Sequence, residues 1–323
     1  MKYNYVIYSA EGDYIRAMLQ DLDGKNFVEV CDDAFLSGGR LCHLLFKLHF
    51  SAKINSRIRL PLKRLWFKRM TKHGFDNDKP ICRVSLGGKY LSEYKEFTDW
   101  LKRTYPNDKS AIVYLDQITK KRISDFDAVK RSCDLVFSYD PIEAKEYDVE
   151  FLPYFFGKSG LLEFRGEPEN DVYFVGYAKN RLPEILAAYR ALTERQLRCD
   201  FRIVGVNECD RVYVEGIKYS GQIPYEQATR EMLNAKCILD VTQKGAAGPS
   251  LRVAESILYH RKLLSDNAAL LDSYMYNPEH MLVFSSVGDA EAEFVKAPLS
   301  NEVYRDSDIM SSVELLEFID NKL

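Results

Sequence analysis

The chain has 323 residues, of which 46% are hydrophobic and 29% charged, and its net charge is −3. This length accommodates two domains of roughly 150 residues, each with a substantial core. Seven scattered cysteines, without a Cys-x-x-Cys pair or Cys/His ligand spacing, predict reduced thiols and argue against a structural zinc site. No window approaches about 18 uncharged apolar residues, and the N-terminus does not resemble a signal peptide, so a cytosolic protein is expected.

The N-terminal half alternates predicted strands with predicted helices, which indicates a parallel sheet covered on both faces. Strands are expected over residues 5–9, 27–31, 111–115, 135–138 and 150–152. Helices are expected over residues 13–22, 41–50, 91–105 and 125–131. The first 156 residues therefore predict one doubly wound domain.

One stretch of this half is strongly basic. Between Asp33 and Asp76 there are ten lysines and arginines and no acidic residue, so this stretch carries +10 while the rest of the chain carries −13. The apolar residues after Pro61 have helical spacing, with basic residues between them: Leu62, Leu65, Trp66 and Met70. A basic amphipathic helix is typical of elements that lie on a membrane surface. We therefore expect residues 40–72 to contact an anionic membrane surface; a solvated helix is the ordinary alternative, and nucleic acid is a disfavoured partner.

The composition changes at residues 157–170, which are polar, contain Gly and Pro, and resemble a linker. Beyond it, strands are expected over residues 172–177, 201–206, 237–241, 263–265 and 281–285. Helices are expected over residues 182–193, 225–235, 249–260, 290–295 and 311–322. The predicted fold class is α/β, with two doubly wound, Rossmann-like domains facing across a cleft and ligands bound beyond the carboxyl ends of the strands.

A glycine-rich loop links a predicted strand to a predicted helix in the second half, at Gly245-Ala-Ala-Gly-Pro-Ser-Leu-Arg-Val-Ala-Glu255. Pro249 suits the first helical position, and a helix that begins there directs N–H groups and the positive end of its dipole at an anion such as phosphate. Arg252 would add positive charge, and Glu255 lies about one and a half turns further on, where a carboxylate meets hydroxyl groups. An ordinary loop with an exposed Arg and Glu is the alternative, and both interpretations stay open at this point.

Two other turns follow predicted strands. Lys179 and Arg181 lie between a strand that ends near Gly176 and the next helix, where both cations can be directed at a diphosphate. Ile223, in Tyr219-Ser-Gly-Gln-Ile-Pro-Tyr225, follows a short predicted strand and can lie beside a flat base. Two solvated cations and a plain turn are the alternatives.

Taken in order, these motifs resemble the donor-binding domain of GT-B-fold glycosyltransferases, in particular bacterial enzymes of capsule, lipopolysaccharide and exopolysaccharide assembly. The resemblance covers residues 134–267. Its motifs are Phe-Val-Gly…Lys-x-Arg, Phe-Arg-Ile-Val-Gly, Tyr-Ser-Gly-x-Ile-Pro-Tyr, Leu-Asp-Val-Thr, Gly-Pro-Ser-Leu-Arg-x-x-Glu and Lys-Leu-Leu-Ser-Asp-Asn.

The resemblance implies a role for each matching residue. Lys179 and Arg181 would lie near the donor diphosphate, and Glu255 would bind the ribose hydroxyls. The residues at the phosphate-facing start of the helix would be Gly248, Ser250, Leu251 and Arg252. Many retaining members carry two Glu seven residues apart. Because Gly248 stands where the first of them would be, the stereochemistry of transfer stays open.

The resemblance implies no metal ion and no cofactor besides a UDP- or GDP-linked donor, because a helix dipole and cations neutralise the leaving diphosphate in this fold. Asp76-Asn-Asp78 and Asp306-Ser-Asp308 are interpreted as solvated turns rather than metal ligands. An inverting reaction would need a base on the acceptor side. The candidates are Glu11, Asp13 and Asp116, of which Asp13 has helix capping and Asp116 a strand-end turn as its ordinary role.

The expected protein is therefore a cytoplasmic glycosyltransferase, peripheral on the inner face of the cell membrane, that transfers sugar from a nucleotide sugar to a lipid-linked glycan. Residues 1–156 would bind the acceptor and the membrane, 157–171 would be a linker, and 172–304 would bind the donor. Residues 305–323 are expected to form a helix that packs back on the first domain. The alternatives are a nucleotide-sugar epimerase on the same fold and a non-catalytic protein that binds anionic lipid or nucleic acid.

Overall fold

The computed structural model describes residues 1–9, 12–31, 39–51, 54, 57–58, 60–87, 91–115, 118, 126–243, 248–298 and 308–323. The chain divides into two compact units, each an α/β structure built on a six-stranded parallel sheet. The first unit comprises Met1–Pro153 and Ser311–Leu323, and the second comprises Tyr154–Met310. The predicted α/β class with two doubly wound units is confirmed.

The sheet of the first unit has the order β2-β1-β3-β4-β5-β6, with every pair parallel. Its strands are β1 (Asn4–Tyr8), β2 (Val28–Cys31), β3 (Ile81–Leu86), β4 (Lys109–Tyr114), β5 (Leu135–Ser138) and β6 (Glu150–Phe151). Its helices are α1 (Asp13–Leu19), α2 (Arg40–His49), α3 (Lys63–Met70), α4 (Leu91–Thr104), α5 (Phe126–Ser132), α6 (Pro141–Glu146) and the C-terminal α11 (Ser312–Lys322). Helices α2, α3 and α4 contribute Phe46, Phe67 and Phe97 to the core.

Strand β3 lies between β1 and β4 and was not predicted from the sequence. Its sequence, Ile-Cys-Arg-Val-Ser-Leu, lacks a continuous apolar run because Arg83 and Ser85 interrupt it. The structure buries Arg83 almost completely, and the side chain donates hydrogen bonds to Asp108 at 2.8 Å and to the Tyr8 hydroxyl at 3.3 Å. A buried charge is tolerated when it is paired in this way, so a strand that appears polar in sequence lies at the centre of the sheet.

The C-terminal helix α11 belongs to the first unit. The carboxylate of Asp320 accepts hydrogen bonds from the backbone amide of Lys2 at 2.8 Å and from the Tyr5 hydroxyl at 2.9 Å. At the other end of the helix, the Ser312 hydroxyl donates to the Met18 carbonyl at 2.7 Å. These contacts join the last helix to the first strand and the first helix of the chain.

The sheet of the second unit has the order β12-β11-β10-β7-β8-β9, again with every pair parallel. Its strands are β7 (Asn170–Tyr177), β8 (Cys199–Val204), β9 (Ile217–Ser220), β10 (Ala235–Asp240), β11 (Lys262–Ser265) and β12 (Met281–Val283). Its helices are α7 (Leu182–Glu194), α8 (Tyr225–Leu233), α9 (Leu251–Leu258) and α10 (Asp289–Lys296). The predicted linker, residues 157–171, lies inside this unit, and its last two residues begin β7.

The order of strands reverses between β7 and β10. From β7 the chain builds outward through β8 and β9, and then returns to place β10 on the other side of β7. In open α/β sheets, ligands bind outside the carboxyl ends of the strands at such a switch point. Within the described part of the chain, no helix is both long and apolar enough to cross a membrane.

Candidate functional site

The N-terminus of α9 lies at the switch point of the second sheet, just after β10. The Ser250 hydroxyl accepts a hydrogen bond from the Arg252 amide at 3.1 Å, so Ser250 is the N-cap and Leu251 the first helical residue. Pro249 therefore lies one residue before the N-cap and does not occupy the first helical position. Ser250 is the better cap, because its hydroxyl accepts a hydrogen bond from a free backbone N–H of the first turn and proline has no side-chain acceptor. The helix still directs the positive end of its dipole at this edge of the sheet.

Arg252 and Glu255 form a buried ion pair on α9. The Glu255 side chain is 0% exposed and Arg252 is 18% exposed, and Arg252 Nη1 donates to Glu255 Oε2. Burial raises the pKa of Glu255 although Arg252 acts to lower it. Glu255 Oε1 makes no hydrogen bond of good geometry among the described residues, although the Tyr225 hydroxyl lies near enough to act to lower the Glu255 pKa. An unsatisfied buried acceptor is a group that a ligand hydroxyl can satisfy, but in this structure no surface of Glu255 is accessible.

Arg181 connects the ends of the two strands at the switch point. Its guanidinium donates to the Val241 carbonyl after β10, and its Nε donates to the Tyr177 carbonyl at the end of β7 at 3.3 Å. Burial lowers the pKa of Arg181, while Asp240 and Asp266 act to raise it. A Cβ atom at Gly176 would lie 3.1 Å from Arg181 Nη2, so glycine leaves the room that the guanidinium occupies.

Lys179 differs from Arg181 although both were predicted to lie near a diphosphate. Its side chain is exposed and forms no hydrogen bond or ion pair within the described ranges. Its backbone has a φ of 45°, in the left-handed region that lysine rarely adopts. This uncommon conformation places the ammonium-bearing Lys179 side chain in solvent two residues after the end of β7.

Polar residues at the ends of β10 and β11 complete this edge, and none of them was predicted from the sequence. Asp240 is buried and accepts a hydrogen bond from the Ser265 hydroxyl at 3.0 Å, and burial raises its pKa although the Ser265 and Ser250 hydroxyls oppose this. Asp266 Oδ1 accepts from the Thr242 amide at 2.6 Å. Asn267 Nδ2 donates to the Gly248 carbonyl at 3.4 Å, which ties β11 to the loop before α9. Their positions at strand ends, inside the motifs Leu-Asp-Val-Thr and Ser-Asp-Asn, were the available sequence signal.

The remaining predicted residues are not in hydrogen-bond contact with this edge of the sheet, or lie outside the described residues. Ile223 is half-buried in the loop between β9 and α8. Asp13 is exposed at the start of α1, where Gly12 is the N-cap and no side chain caps the helix, so the ordinary capping role does not apply to it. Glu11 and Asp116 lie outside the described residues. Asp76 and Asp78 are exposed in a bend, and Asp306 also lies outside the described residues.

Solved structures with this architecture include several glycosyltransferases. An α-glucosyltransferase in complex with UDP and a 13-mer DNA superposes with a TM-score of 0.60 at 11% identity, covering 98% of this chain and 99% of that one. A glycosyltransferase from Rickettsia africae superposes with a TM-score of 0.55 at 10% identity, covering 99% and 98%. A putative UDP-N-acetylglucosamine 2-epimerase from Listeria monocytogenes has the same TM-score of 0.55 at 10% identity, covering 98% and 96%.

No protein-family model matches the chain, and no curated protein matches it in sequence. At about a tenth identity the structural likeness establishes the fold, which is the two-domain GT-B fold along the whole chain. That fold is shared by glycosyltransferases and by the putative epimerase. The choice between their activities therefore depends on the site.

Proposed function

We propose that this protein is a glycosyltransferase that binds the diphosphate of a nucleotide-sugar donor at the carboxyl ends of β7 and β10. The observation that carries the proposal is the start of α9, an eight-residue helix capped by Ser250 that opens where the strand order reverses. Exposed Lys179 follows the neighbouring strand, and Arg252 lies in the first turn of the helix. A helix N-terminus beside an exposed lysine at the neighbouring strand end suits a phosphate, while the charge of Arg252 is paired with Glu255.

These groups act on the charge that develops during transfer. The acceptor hydroxyl oxygen bonds to the anomeric carbon and loses its proton to a base, while the bond between that carbon and the terminal phosphate oxygen breaks and negative charge accumulates on the leaving diphosphate. The α9 dipole and the Lys179 ammonium stabilise this charge without a metal ion. Arg181 positions the ends of β7 and β10. Glu255 is fully buried, so its Oε1 accepts a ribose hydroxyl only after the side chains that cover it move aside. Ile223 lies beside the base.

The proposed acceptor is a glycan carried on a lipid, used in cell-surface polysaccharide synthesis and bound by the first unit. The support is the acid-free stretch that includes α2 and α3, where leucines and cations are both exposed. A nucleic-acid partner would use the cations but would leave the leucines uncovered. Asp13, exposed at the start of α1, is the described candidate for the base that deprotonates the acceptor.

The epimerase alternative has one specific observation in its favour: the putative 2-epimerase superposes with the same TM-score, 0.55, as the glycosyltransferase from Rickettsia africae. Such an enzyme acts on a soluble nucleotide sugar and has no use for an exposed basic and apolar surface. The surface therefore favours a transferase with a membrane-bound acceptor.

The donor site is tested by thermal unfolding with UDP, GDP and uridine, each at millimolar concentration. UDP is the first choice because the α-glucosyltransferase of the same fold was solved with UDP. At about 100 times its Kd, a ligand stabilises the native state by about 2.7 kcal/mol, so a diphosphate that binds raises Tm and uridine raises it less. If neither diphosphate changes Tm, with or without EDTA, the proposed donor site is wrong.

A second assay separates the two enzyme classes. The protein is incubated with a panel of UDP- and GDP-sugars in EDTA, without acceptor, and the products are followed by NMR. Slow release of nucleoside diphosphate and of a free sugar whose ring carbons other than the anomeric one keep their configuration indicates a transferase whose acceptor is replaced by water. Conversion to an epimeric nucleotide sugar supports the alternative.

Membrane binding is tested by flotation with vesicles of phosphatidylglycerol or phosphatidylcholine. We expect flotation with the anionic vesicles only, since each cation near an anionic surface contributes about 1 kcal/mol. The variant Arg64→Glu/Lys68→Glu/Arg69→Glu should stay at the bottom of the gradient, and Arg190→Glu, exposed on α7 of the second unit, is the matched control. Equal flotation of both variants contradicts the proposed surface.

A further inference from the structure

Helix α2 presents an apolar stripe to solvent instead of to the core. Its leucines have the spacing i, i+3, i+4 and i+7, which places them on one face of the helix. They are between 40% and 72% exposed: Leu41, Leu44, Leu45 and Leu48. Within α2 only Phe46 is buried. An amphipathic helix normally buries its apolar stripe, so the exposed stripe of α2 is available to a partner.

Helix α3 repeats the arrangement. It buries Phe67 and Met70, whereas Leu65 is exposed, as is Leu62 directly before the helix. The sequence had predicted Leu62, Leu65, Trp66 and Met70 on one apolar face. The structure divides that set, with Met70 in the core and the leucines in solvent.

A groove of about 810 Å³ lies between the two helices. Its walls are Cys42, Leu45, His49, Leu62, Leu65, Trp66, Lys68, Arg69 and Lys72. Trp66 packs edge-on against Phe46, with ring centroids 5.2 Å apart. The His49 ring connects α2 to the segment just before α3. Its Nδ1 lies 2.8 Å from the Leu45 carbonyl oxygen, and its Nε2 lies 3.2 Å from the Pro61 carbonyl oxygen. The groove is therefore walled by packed side chains and falls within the usual size of small-molecule sites, about 300–1,000 Å³.

Among the described residues that line this groove, three are basic and none is acidic. Lys68, Arg69 and Lys72 line it and are exposed. None of the three forms a side-chain hydrogen bond or ion pair with another described residue, and the sequence has no acid between Asp33 and Asp76. Three cations on the wall of an apolar groove complement an anion attached to a hydrocarbon chain.

We propose that the α2–α3 groove binds a single lipid phosphate, with its hydrocarbon chain along Leu45, Leu65 and Trp66 and its phosphate against Lys68, Arg69 and Lys72. This inference deepens the proposed function, on which it rests for its biological meaning, because it gives the lipid carrier of the acceptor a place on the first unit. The exposed leucines Leu41 and Leu44 lie outside the groove walls and remain available to the bilayer.

The test uses dodecyl phosphate as the probe, below its micellar concentration, and the fluorescence of Trp66. The chain has two tryptophans, so Trp100→Phe leaves Trp66 as the reporter. We expect a saturable change with one site per chain. Dodecyl maltoside, which has the chain without the charge, and inorganic phosphate, which has the charge without the chain, should each bind at least about tenfold more weakly.

Two variants identify the groove. Leu45→Gln and Lys68→Gln/Arg69→Gln/Lys72→Gln each weaken binding of dodecyl phosphate at least about tenfold. Leu44→Gln is the matched control, since Leu44 belongs to the same helix and stripe but does not line the groove, and its affinity should match that of the parent. The side chains substituted in these three variants are exposed, whereas Trp100 is half-buried against the core, and circular dichroism verifies that each variant and the Trp100→Phe parent are folded.

Three results overturn the proposal: no saturable signal with monomeric dodecyl phosphate, equal loss in Leu45→Gln and Leu44→Gln, or binding only to vesicles and micelles. A single-stranded DNA oligonucleotide is also tested as a competitor. If it displaces the probe and binds Leu45→Gln as tightly as the parent, the groove binds nucleic acid instead. The assay contains no nucleotide. If dodecyl phosphate does not bind but UDP stabilises the protein, only the groove is refuted. If dodecyl phosphate binds but no nucleoside diphosphate stabilises the protein, only the donor site is refuted.

Discussion

Lys179 and Arg181 are two residues apart, and the tertiary structure gives them different roles. Lys179 is exposed and makes no polar contact within the described chain, whereas the Arg181 guanidinium donates to the carbonyls of Tyr177 and Val241. A cation with no partner is available to a ligand, while one that joins two strand ends positions the backbone around it. Lys179 is therefore the proposed diphosphate contact and Arg181 a positioning residue.

We predict that Lys179→Ala weakens UDP binding about tenfold or more and changes the free energy of unfolding by less than about 0.5 kcal/mol, because its side chain is exposed. Uridine, which has no phosphate, should bind the variant and the parent equally. Isothermal titration and urea unfolding measure the two effects. Unchanged affinity for UDP removes Lys179 from the diphosphate site.

Arg181→Ala should instead lower the free energy of unfolding by about 1–3 kcal/mol, because the carbonyls of Tyr177 and Val241 lose their donor. Its effect on UDP binding is then indirect, and Arg181→Lys should recover part of both losses because one ammonium can still reach a carbonyl. Urea unfolding of the three proteins measures the difference. An Arg181→Ala protein of parental stability would contradict the positioning role.

Glu255 is the other residue whose role is decided by burial. Its carboxylate is paired with Arg252 and lies out of contact with solvent. We predict that Glu255→Gln remains folded but is less stable, since the amide keeps the size and an acceptor oxygen while Arg252 loses its charged partner. It should bind UDP at least about fivefold more weakly because the acceptor for ribose is uncharged. Isothermal titration measures the affinity. The control ligand is the dideoxyribose analogue of UDP, which lacks both ribose hydroxyls and should bind the parent and Glu255→Gln equally; an equal loss with both ligands would contradict the ribose role.

At the scale of elements, the Asp320 carboxylate is one of the groups that join α11 to the first unit. Burial opposes the ionisation of Asp320, but hydrogen bonds from the Lys2 amide, the Tyr5 hydroxyl and the Tyr3 amide outweigh it and lower its pKa. A lowered pKa in the folded state means that the ionised carboxylate stabilises the fold above the ordinary value of 3.8, and that this contribution is lost as the pH falls through the folded value.

We predict that Asp320→Asn lowers the free energy of unfolding by about 1–3 kcal/mol at neutral pH. The difference in free energy of unfolding between the parent and Asp320→Asn should shrink as the pH falls below about 3.8, which is the pKa of a free aspartate. Urea unfolding from pH 7 to pH 3 measures it. A difference that stays constant across this range would show that the charge of Asp320 contributes nothing.

At the scale of the whole molecule, charge is distributed unevenly: a net charge of −3 conceals +10 between Asp33 and Asp76 and −13 elsewhere. Association with an anionic surface should then depend on this one stretch and on ionic strength. The Debye length falls from about 10 Å at 0.1 M salt to about 3 Å at 1 M. We predict that binding to phosphatidylglycerol vesicles weakens at least about tenfold over that range, whereas dodecyl maltoside binding does not. Salt-independent vesicle binding would indicate that the exposed leucines alone hold the protein at the membrane.

The sequence by itself determined the alternation of strands and helices, the loop that precedes α9 and the basic stretch, because each is a pattern among residues close together in the chain. It could not place β3, whose Arg83 looks solvent-exposed until Tyr8 and Asp108 are brought beside it. It also could not distinguish Lys179 from Arg181, or show that the leucines of α2 face solvent while Met70 of α3 faces the core. Those properties depend on which distant residues remove water from a side chain or supply its hydrogen bonds, and only the folded chain decides that.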